Sequence, residues 1–365
     1  MSASPHPLTL AFLGCGAITE RHSRTLRSVG GDVRLVYASR EAAKADALRR
    51  RFGGSGAYGS YAAAWSDPAV DAVLVATPPH LHLEQTLAAL DAGKHVILEK
   101  PAFPSPDDFA PVRAAAARAG RSVLVAENYV YKPVASALRD ILHRGDIGEP
   151  LLLLVDAAKR QRPTGWRSDP ALSGGGGLLE GGIHWVSFMA GLGLEPRRAT
   201  GHRAGTGGAV RPAGAGGAGG PEASGAPAER TALAVFENEG GAVGASPPRT
   251  PTEETVLAIF EYDGGAVGAL SFSWEVPSPL KGVRLSRIYG REGTVRFESN
   301  GLFVWVQGRR TAFRLPGLRD LSGHRAMFHD FFDALRNGRE PLMTLDLAER
   351  DLRLVSRIYA SMERR

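Results

Sequence analysis

The sequence predicts two domains in series, an α/β half followed by an α+β half. Three observations carry this. Up to about residue 128, short runs rich in Val, Ile and Leu alternate with helical stretches, the pattern of strands buried on both faces of a doubly wound parallel sheet. A glycine-rich turn follows the first of those runs. Beyond residue 150, strands are grouped together with helices outside them, as in an α+β domain. The length of 365 residues fits two domains.

Leu8 to Leu13 reads as the first strand. It runs into Gly14-Cys15-Gly16-Ala17-Ile18-Thr19 and a helix to about Val29. This is a dinucleotide-binding turn: the first Gly permits the bend, the second lets backbone approach a pyrophosphate, and the helix N-terminus presents N–H donors. Thr19 stands where Gly or Ala is usual and is bulkier. The second strand, Val33 to Ala38, ends in Ser39-Arg40. An acid there binds a ribose 2′-hydroxyl, whereas a hydroxyl and a guanidinium suit a 2′-phosphate. The pair therefore favours NADP(H) over NAD(H), with a helix cap and a surface Arg as the plain alternative. A helix from Glu41 to Phe52, a strand near Ala57, a helix near Tyr61 and another from Pro106 to Ala119 continue the alternation. Ser122 to Glu127 reads as the sixth strand.

The segment between these last elements carries most of the chemistry. Val73 to Ala76 is a strand followed by Thr77-Pro78-Pro79-His80-Leu81-His82. A helix with Leu83, Leu87 and Leu90 ends at Gly93, and strand Val96 to Leu98 delivers Glu99-Lys100-Pro101. Those residues emerge at the carboxyl edge of the sheet, where open α/β folds bind ligands. The chain has six lysines among 44 basic residues. A Lys at that edge offers an amine that can titrate, which Arg cannot. The plain alternative is a solvated Glu-Lys pair.

In the second half, Pro133 to Arg144 reads as a helix and Leu151 to Asp156 as a strand. A polar loop carries Trp166-Arg167, and Gly174 to Gly177 precede Glu180 and His184. On a helix, those two side chains share a face. Arg203 to Ala228 is dominated by Gly, Ala and Pro and reads as a flexible insertion. A duplicated strand, Gly-Gly turn and strand follows, at Ala234 to Ala245 and Ala258 to Ala269. Further strands are expected at 282–289, 293–298 and 302–307. Helices are expected from Phe328 and over Leu345 to Met362.

Composition narrows the class. Hydrophobic residues make up 43% and no apolar run reaches the ~20 residues of a membrane span. The N-terminus lacks the pattern of a signal peptide. A single cysteine, Cys15, excludes an intrachain disulfide and fits a reducing, cytoplasmic setting. The net charge is +6, but the arginines are dispersed rather than clustered with aromatics, which argues against nucleic acid. The balance favours anionic small molecules.

These motifs together resemble the Gfo/Idh/MocA oxidoreductases, the family of glucose-fructose oxidoreductase and inositol dehydrogenase. The resemblance rests on Gly14 to Thr19 with His22, Ala76-Thr77-Pro78 with His82, Glu99-Lys100-Pro101 and Glu127-Asn128. It continues through Trp166-Arg167, Gly182-Ile183-His184 and the ending from Phe331 to Pro341. It implies a Rossmann domain over residues 1–128 and a second domain over 129–365. That second domain has an open, mostly antiparallel sheet, one face of which forms a homodimer or homotetramer contact. It implies hydride transfer between NAD(P) and a carbon of a sugar or cyclitol, with Lys100 and His184 as the catalytic pair and no metal. The implied cofactor contacts are Gly14, Gly16, Ala17, Ile18, Ser39, Arg40, Thr77, Pro78, His82, Glu99, Lys100 and Asn128. Tyr131, Trp166, Arg167, Glu180 and His184 fall on the substrate side. Pro79 departs from the Asn frequent at its position and leaves one contact near the nicotinamide ribose open, while Glu180 and Ser187 depart on the substrate side and leave the substrate open. Reduction of a C=N or another carbonyl, and a cofactor-binding regulator, are the competing readings. The retained Lys100 and His184 argue against the regulator.

Overall fold

The protein is described by a computed structural model covering residues 7–30, 33–204, 255–278, 282–318 and 320–363. The first domain is a six-stranded parallel sheet: β1 (Leu8–Leu13), β2 (Val33–Ala38), β3 (Gly56–Tyr58), β4 (Ala72–Val75), β5 (His95–Leu98) and β6 (Val123–Val125), in the order β3-β2-β1-β4-β5-β6. β4 is wholly buried, as its unbroken Ala-Val-Leu-Val run requires. The strand order reverses between β1 and β4, which opens a crevice at their carboxyl ends. Helices α1 (Ala17–Val29), α2 (Ala42–Phe52), α3 (Tyr61–Ser66), α4 (His82–Asp91) and α5 (Phe109–Ala119) connect the strands.

The sixth strand is shorter than the sequence suggests. Ala126 N–H still donates to Leu98, but Glu127 N–H turns back to Val125. The chain leaves the sheet there, and α6 (Pro133–His143) and later the short α7 (Pro170–Ser173) follow.

The second domain holds eight strands: β7 (Pro150–Ala158), β8 (Pro196–Arg203), β9 (Thr255–Tyr262), β10 (Val267–Ser273), β11 (Leu285–Gly290), β12 (Gly293–Glu298), β13 (Val304–Gln307) and β14 (Ala312–Arg314). Their order is β14-β13-β12-β11-β7-β10-β9-β8. Only the β7–β10 pairing is parallel among the described strands of this second sheet. Burial alternates along β9, with Val256, Ala258, Phe260 and Tyr262 inside, so among the described residues one sheet face is covered and the other open. The covering helices include α8 (Ile183–Ala190) and α10 (Leu345–Glu363). Gly201 shows how close α10 lies: a Cβ there would stand 2.5 Å from Ile358.

The second copy of the duplicated segment is the β9–β10 hairpin, with Gly264 and Gly265 at φ 84° and 86°. The first copy and residues 205–228 of the Gly-rich stretch lie outside the described residues. β8 extends to Arg203, so that residue belongs to the sheet. Helix α9 (His324–Asn337) starts four residues earlier than the apolar pattern indicates. The Asp320 carboxylate accepts the N–H groups of Gly323, Arg325 and Ala326 at 3.0, 3.0 and 3.1 Å, so a cap upstream of the apolar face sets the start.

The chain's ending returns to the first domain. Phe328 of α9 meets His22 of α1 edge-on at 5.0 Å. Arg113 of α5 is paired with Asp346 and Glu349 of α10 at 2.6 and 2.5 Å.

Candidate active site

The glycine turn is shaped for a dinucleotide. Gly14 has φ 109°, and a Cβ there would stand 2.8 Å from the Ala76 carbonyl oxygen, so only Gly closes the β1 turn against the end of β4. A Cβ on Gly16 would meet nothing within 4 Å, and Gly16 caps α1 without a side-chain bond. Gly16 and Ala17 are exposed and Ile18 half-buried. Open space thus faces free N–H donors, as a pyrophosphate requires. Thr19 fits despite its bulk because its hydroxyl donates to the Gly14 carbonyl at 2.8 Å. It braces the turn that a smaller residue would leave loose.

At the end of β2, Ser39 is buried and its Oγ accepts the Glu41 N–H at 3.1 Å. That bond forms a turn ahead of α2, whose N-cap is Glu41 without a side-chain cap, so Ser39 is not the helix cap that one of the two readings expected; its own O–H remains able to donate. Arg40 is exposed beside the half-buried Tyr61 phenol. Cys15 lies near, its thiol pushed up to about 11 by burial.

The loop after β4 is locked by its own side chains. Thr77 Oγ1 donates to Gln85 at 2.7 Å, and Pro78 begins the turn. His82 is fully buried, and its ring nitrogens lie 2.8 and 3.0 Å from the Thr77 and Ala102 carbonyls. It therefore ties the β4 loop to the β5 loop and presents no ring atom to a cofactor, which corrects the expected direct contact. Glu99 is also turned inward, onto His22. Burial would raise its carboxyl, but His22 and Lys100 outweigh that and hold it below the usual carboxylate range. Asn128 donates to the Ser322 carbonyl at 2.6 Å, joining the end of the first domain to the cap of α9. Tyr131 is a second correction. Its hydroxyl donates to Asp330 at 2.7 Å and accepts the Met343 N–H at 3.0 Å, so it fastens α9 rather than facing substrate.

The remaining candidates converge. Lys100, just past β5, donates to the Glu180 carbonyl at 2.6 Å and lies 3.7 Å from its Oε1. Arg167 approaches the same carboxylate at 3.2 Å and stacks on Trp166, 5.5 Å from its ring centre. Burial would raise Glu180, but Lys100, Arg167 and His184 outweigh it and lower its pKa. Glu180 belongs to a π-turn, Leu178–Gly182, that feeds directly into α8. The wider turn changes which carbonyls are shared within the helix, and that of Glu180 meets Lys100. Gly181 is required there, because a Cβ would stand 2.5 Å from the Trp274 ring.

His184 opens α8. Its Nδ1 lies 2.7 and 2.9 Å from the two oxygens of Glu127, at the carboxyl end of β6. Burial, then the Lys100 charge, push the imidazole well below its ordinary value. Burial raises Glu127 to about 7. Tyr129 lies flat on the imidazole, with ring centres 4.5 Å apart and planes at 13°. The Lys132 ammonium sits 4.1 Å from the centre of the Tyr129 ring. Burial, then Arg284, lower Lys132 to about 7. Glu127, Tyr129 and Lys132 were absent from the sequence-derived site. The available signal was a carboxylate at the end of a parallel strand, the same signal that picked out Lys100. No group of three or more His, Cys, Asp or Glu suited to a metal occurs among the described residues.

This geometry joins a dinucleotide-binding type of parallel sheet to a second, mostly antiparallel sheet, with a buried cluster of ionisable side chains where they meet. Residues 8–127 match the oxidoreductase family with an NAD-binding Rossmann fold, and residues 135–296 match the GFO/IDH/MocA C-terminal domain. The chain belongs to the Gfo/Idh/MocA family. It is 37% identical over 164 residues to 1,5-anhydro-D-fructose reductase of Ensifer adhaerens, covering 44% of this chain and 48% of that protein. It is 33% identical over 155 residues to D-xylose 1-dehydrogenase (NADP(+)) 2 of Haloferax volcanii, covering 42% and 47%. These matches span about half the length of the curated relatives. Levoglucosan dehydrogenase, solved with NADH and levoglucosan, shares the fold with a TM-score of 0.79 at 19% identity, over 98% of this chain and 97% of that one. No described helix is long and apolar enough to cross a membrane.

Proposed function

We propose that the protein is an NADP(H)-preferring oxidoreductase. It would move a hydride between the nicotinamide and a secondary alcohol or ketone of a sugar, sugar derivative or cyclitol. The convergence of Lys100, Glu180 and His184 at the carboxyl ends of β5 and β6 carries this reading. The turn at Gly14 and Gly16 fits the pyrophosphate, and the bound nicotinamide supplies the hydride donor or acceptor. Lys100 donates a hydrogen bond to the reacting oxygen and stabilises negative charge there as the carbonyl is reduced. His184 takes the hydroxyl proton in oxidation and returns it in reduction. Glu180 holds the Lys100 amine, while Trp166 and Arg167 offer a flat face and a donor to the sugar.

Three relatives support the substrate class by their names, which specify an anhydrofructose, a xylose and a levoglucosan. Ser39 and Arg40, with no acid at the end of β2, support NADP(H). The open face of the second sheet supports a homodimer or homotetramer, and the single cysteine supports a reducing, cytoplasmic setting. The test is NADPH oxidation, followed by the loss of nicotinamide absorbance, against a panel of ketosugars and aldoses that includes 1,5-anhydro-D-fructose. Sugar-dependent oxidation is expected. Cofactor binding without turnover on any panel member would refute the substrate class.

A further inference from the structure

Glu127 is fixed to His184 more completely than any other charged group in the cleft. Both of its oxygens reach the single ring atom Nδ1, and Oε1 also accepts the Tyr129 N–H at 2.9 Å. The His184 side chain is 17% exposed and that of Glu127 2%, so the imidazole faces the cleft and the carboxyl lies behind it. The other ring atom, Nε2, makes no protein hydrogen bond among the described residues. Tyr129 covers one face of the imidazole at 4.5 Å, and Lys132 stands 4.1 Å from the same phenol ring. Lys132 adds a cation–π contact to the ring that holds the imidazole flat.

We infer that Glu127 is the positioning residue of His184, fixing its tautomer through Nδ1 so that Nε2 is the atom that exchanges the proton with substrate. The inference rests on the proposed role of His184 in that exchange. With Glu127 ionised, its carboxylate accepts the Nδ1 proton and Nε2 carries a lone pair. As the carbinol carbon gives its hydride to the oxidised nicotinamide, the hydroxyl proton passes to Nε2 and a carbonyl forms. The imidazolium so produced is stabilised by the carboxylate. Reduction runs the same transfers backward. With one further proton on the pair, Nε2 is a donor and only reduction is served.

The groups facing His184 are Lys100 from the end of β5, Glu99 beside it, Glu180 from the π-turn, Lys132 before α6 and His324 from α9. None of these five bonds the ring; Glu127 does. Burial brings its carboxyl to about 7, so the pair takes up its second proton near neutrality, as a property of both groups together.

Glu127 also caps the 3-10 turn Asn128–Tyr131, and a purely structural role would end there. Nitrogen-15 NMR of histidine-labelled protein, with and without NADP+, separates the two roles. His184→Asn identifies the His184 signals. In the unmodified protein at pH 8, the Nδ1–H tautomer should dominate, and the transition to a protonated Nε2 should have its midpoint near pH 7. Glu127→Gln keeps an oxygen for the Tyr129 N–H but cannot hold the proton. It should abolish the tautomer preference and move the midpoint at least one pH unit toward acid. Glu180→Gln should leave the tautomer as it is. An unchanged tautomer and midpoint in Glu127→Gln overturns the inference, as does a tautomer that follows Glu180 instead. Should Glu127→Gln fail to fold, Glu127→Asp withdraws the carboxyl by one methylene and must weaken the same preference; an unaltered preference overturns the inference. A protein that oxidises no sugar but shows these NMR changes refutes the proposed substrate and leaves the pairing standing. Turnover with unmoved signals refutes the pairing alone.

Discussion

At the residue scale, cofactor choice falls on Arg40. It is exposed at the end of β2, beside Tyr61 and one residue from the buried Ser39. A charge-assisted bond to a 2′-phosphate is worth about 1.5–3 kcal/mol. Arg40→Ala should therefore weaken NADPH by roughly tenfold to a hundredfold and leave NADH nearly unaffected. Fluorescence titration of both cofactors reads this; equal affinities before substitution would refute the preference. Several site residues were legible because chemistry and position coincided in sequence. Gly14, Lys100 and Glu180 each stand at a strand end or turn where backbone or charge has a stated use. His82 and Tyr131 misled for the opposite reason. An imidazole or a phenol serves equally as a brace, and only the carbonyls, Asp330 and Met343 around them decide which. Glu127 was visible as a strand-end acid, but its partner lies 57 residues away, beyond any local pattern.

At the element scale, α10 carries a stored cost. Asp351 is 1% exposed. One oxygen accepts from Arg350 at 2.9 and 3.0 Å, while Oδ2 has only the Ser187 hydroxyl beside it, short of a well-formed hydrogen bond. Burial, only partly offset by Arg350, raises its pKa to about 6. A carboxyl raised above its unfolded value favours folding fully below the unfolded pKa, and that contribution is lost as pH rises through about 6. Asp351→Asn should therefore raise stability at pH 7–8 by on the order of 1–3 kcal/mol. It should also flatten the dependence between about pH 4 and 6.5. Urea melts at pH 5 and pH 8 check this; equal destabilisation at both would refute it. Element boundaries were read well where periodicity set them and less well where a cap did. β6 ends on a backbone turn and the start of α9 is held by the Asp320 carboxylate, and neither lies within the apolar pattern.

At the scale of the whole molecule, the second sheet has a face that no described element covers. Register partners run across it in one row: Ile259, Ala269, Leu154, Arg287, Arg296, Trp305 and Phe313. Phe313 is 63% exposed, and Arg296 stacks on Trp305. An apolar band of this extent, broken by arginines, suits a second copy of the chain. Leu154→Glu with Ile259→Glu should give a monomer by sedimentation while leaving cofactor binding intact. A monomeric unmodified protein would refute the assembly. The two-domain plan was legible from alternation of elements. The return of α9 and α10 onto the first domain was not, because it depends on contacts such as His22 with Phe328 that join the chain's two ends.

The central claim is that Lys100 and His184 act on one substrate oxygen from opposite domains. Its most direct test is single-turnover NADPH oxidation with the best sugar of the panel, comparing the unmodified protein with Lys100→Met, His184→Asn and the double variant. Each single change should slow hydride transfer by about 10²–10⁴-fold while NADPH affinity holds. The double variant should be little slower than the worse single one, as for two members of a proton-transfer unit. Full-rate hydride transfer in either single variant, with the cofactor still bound, would contradict the account.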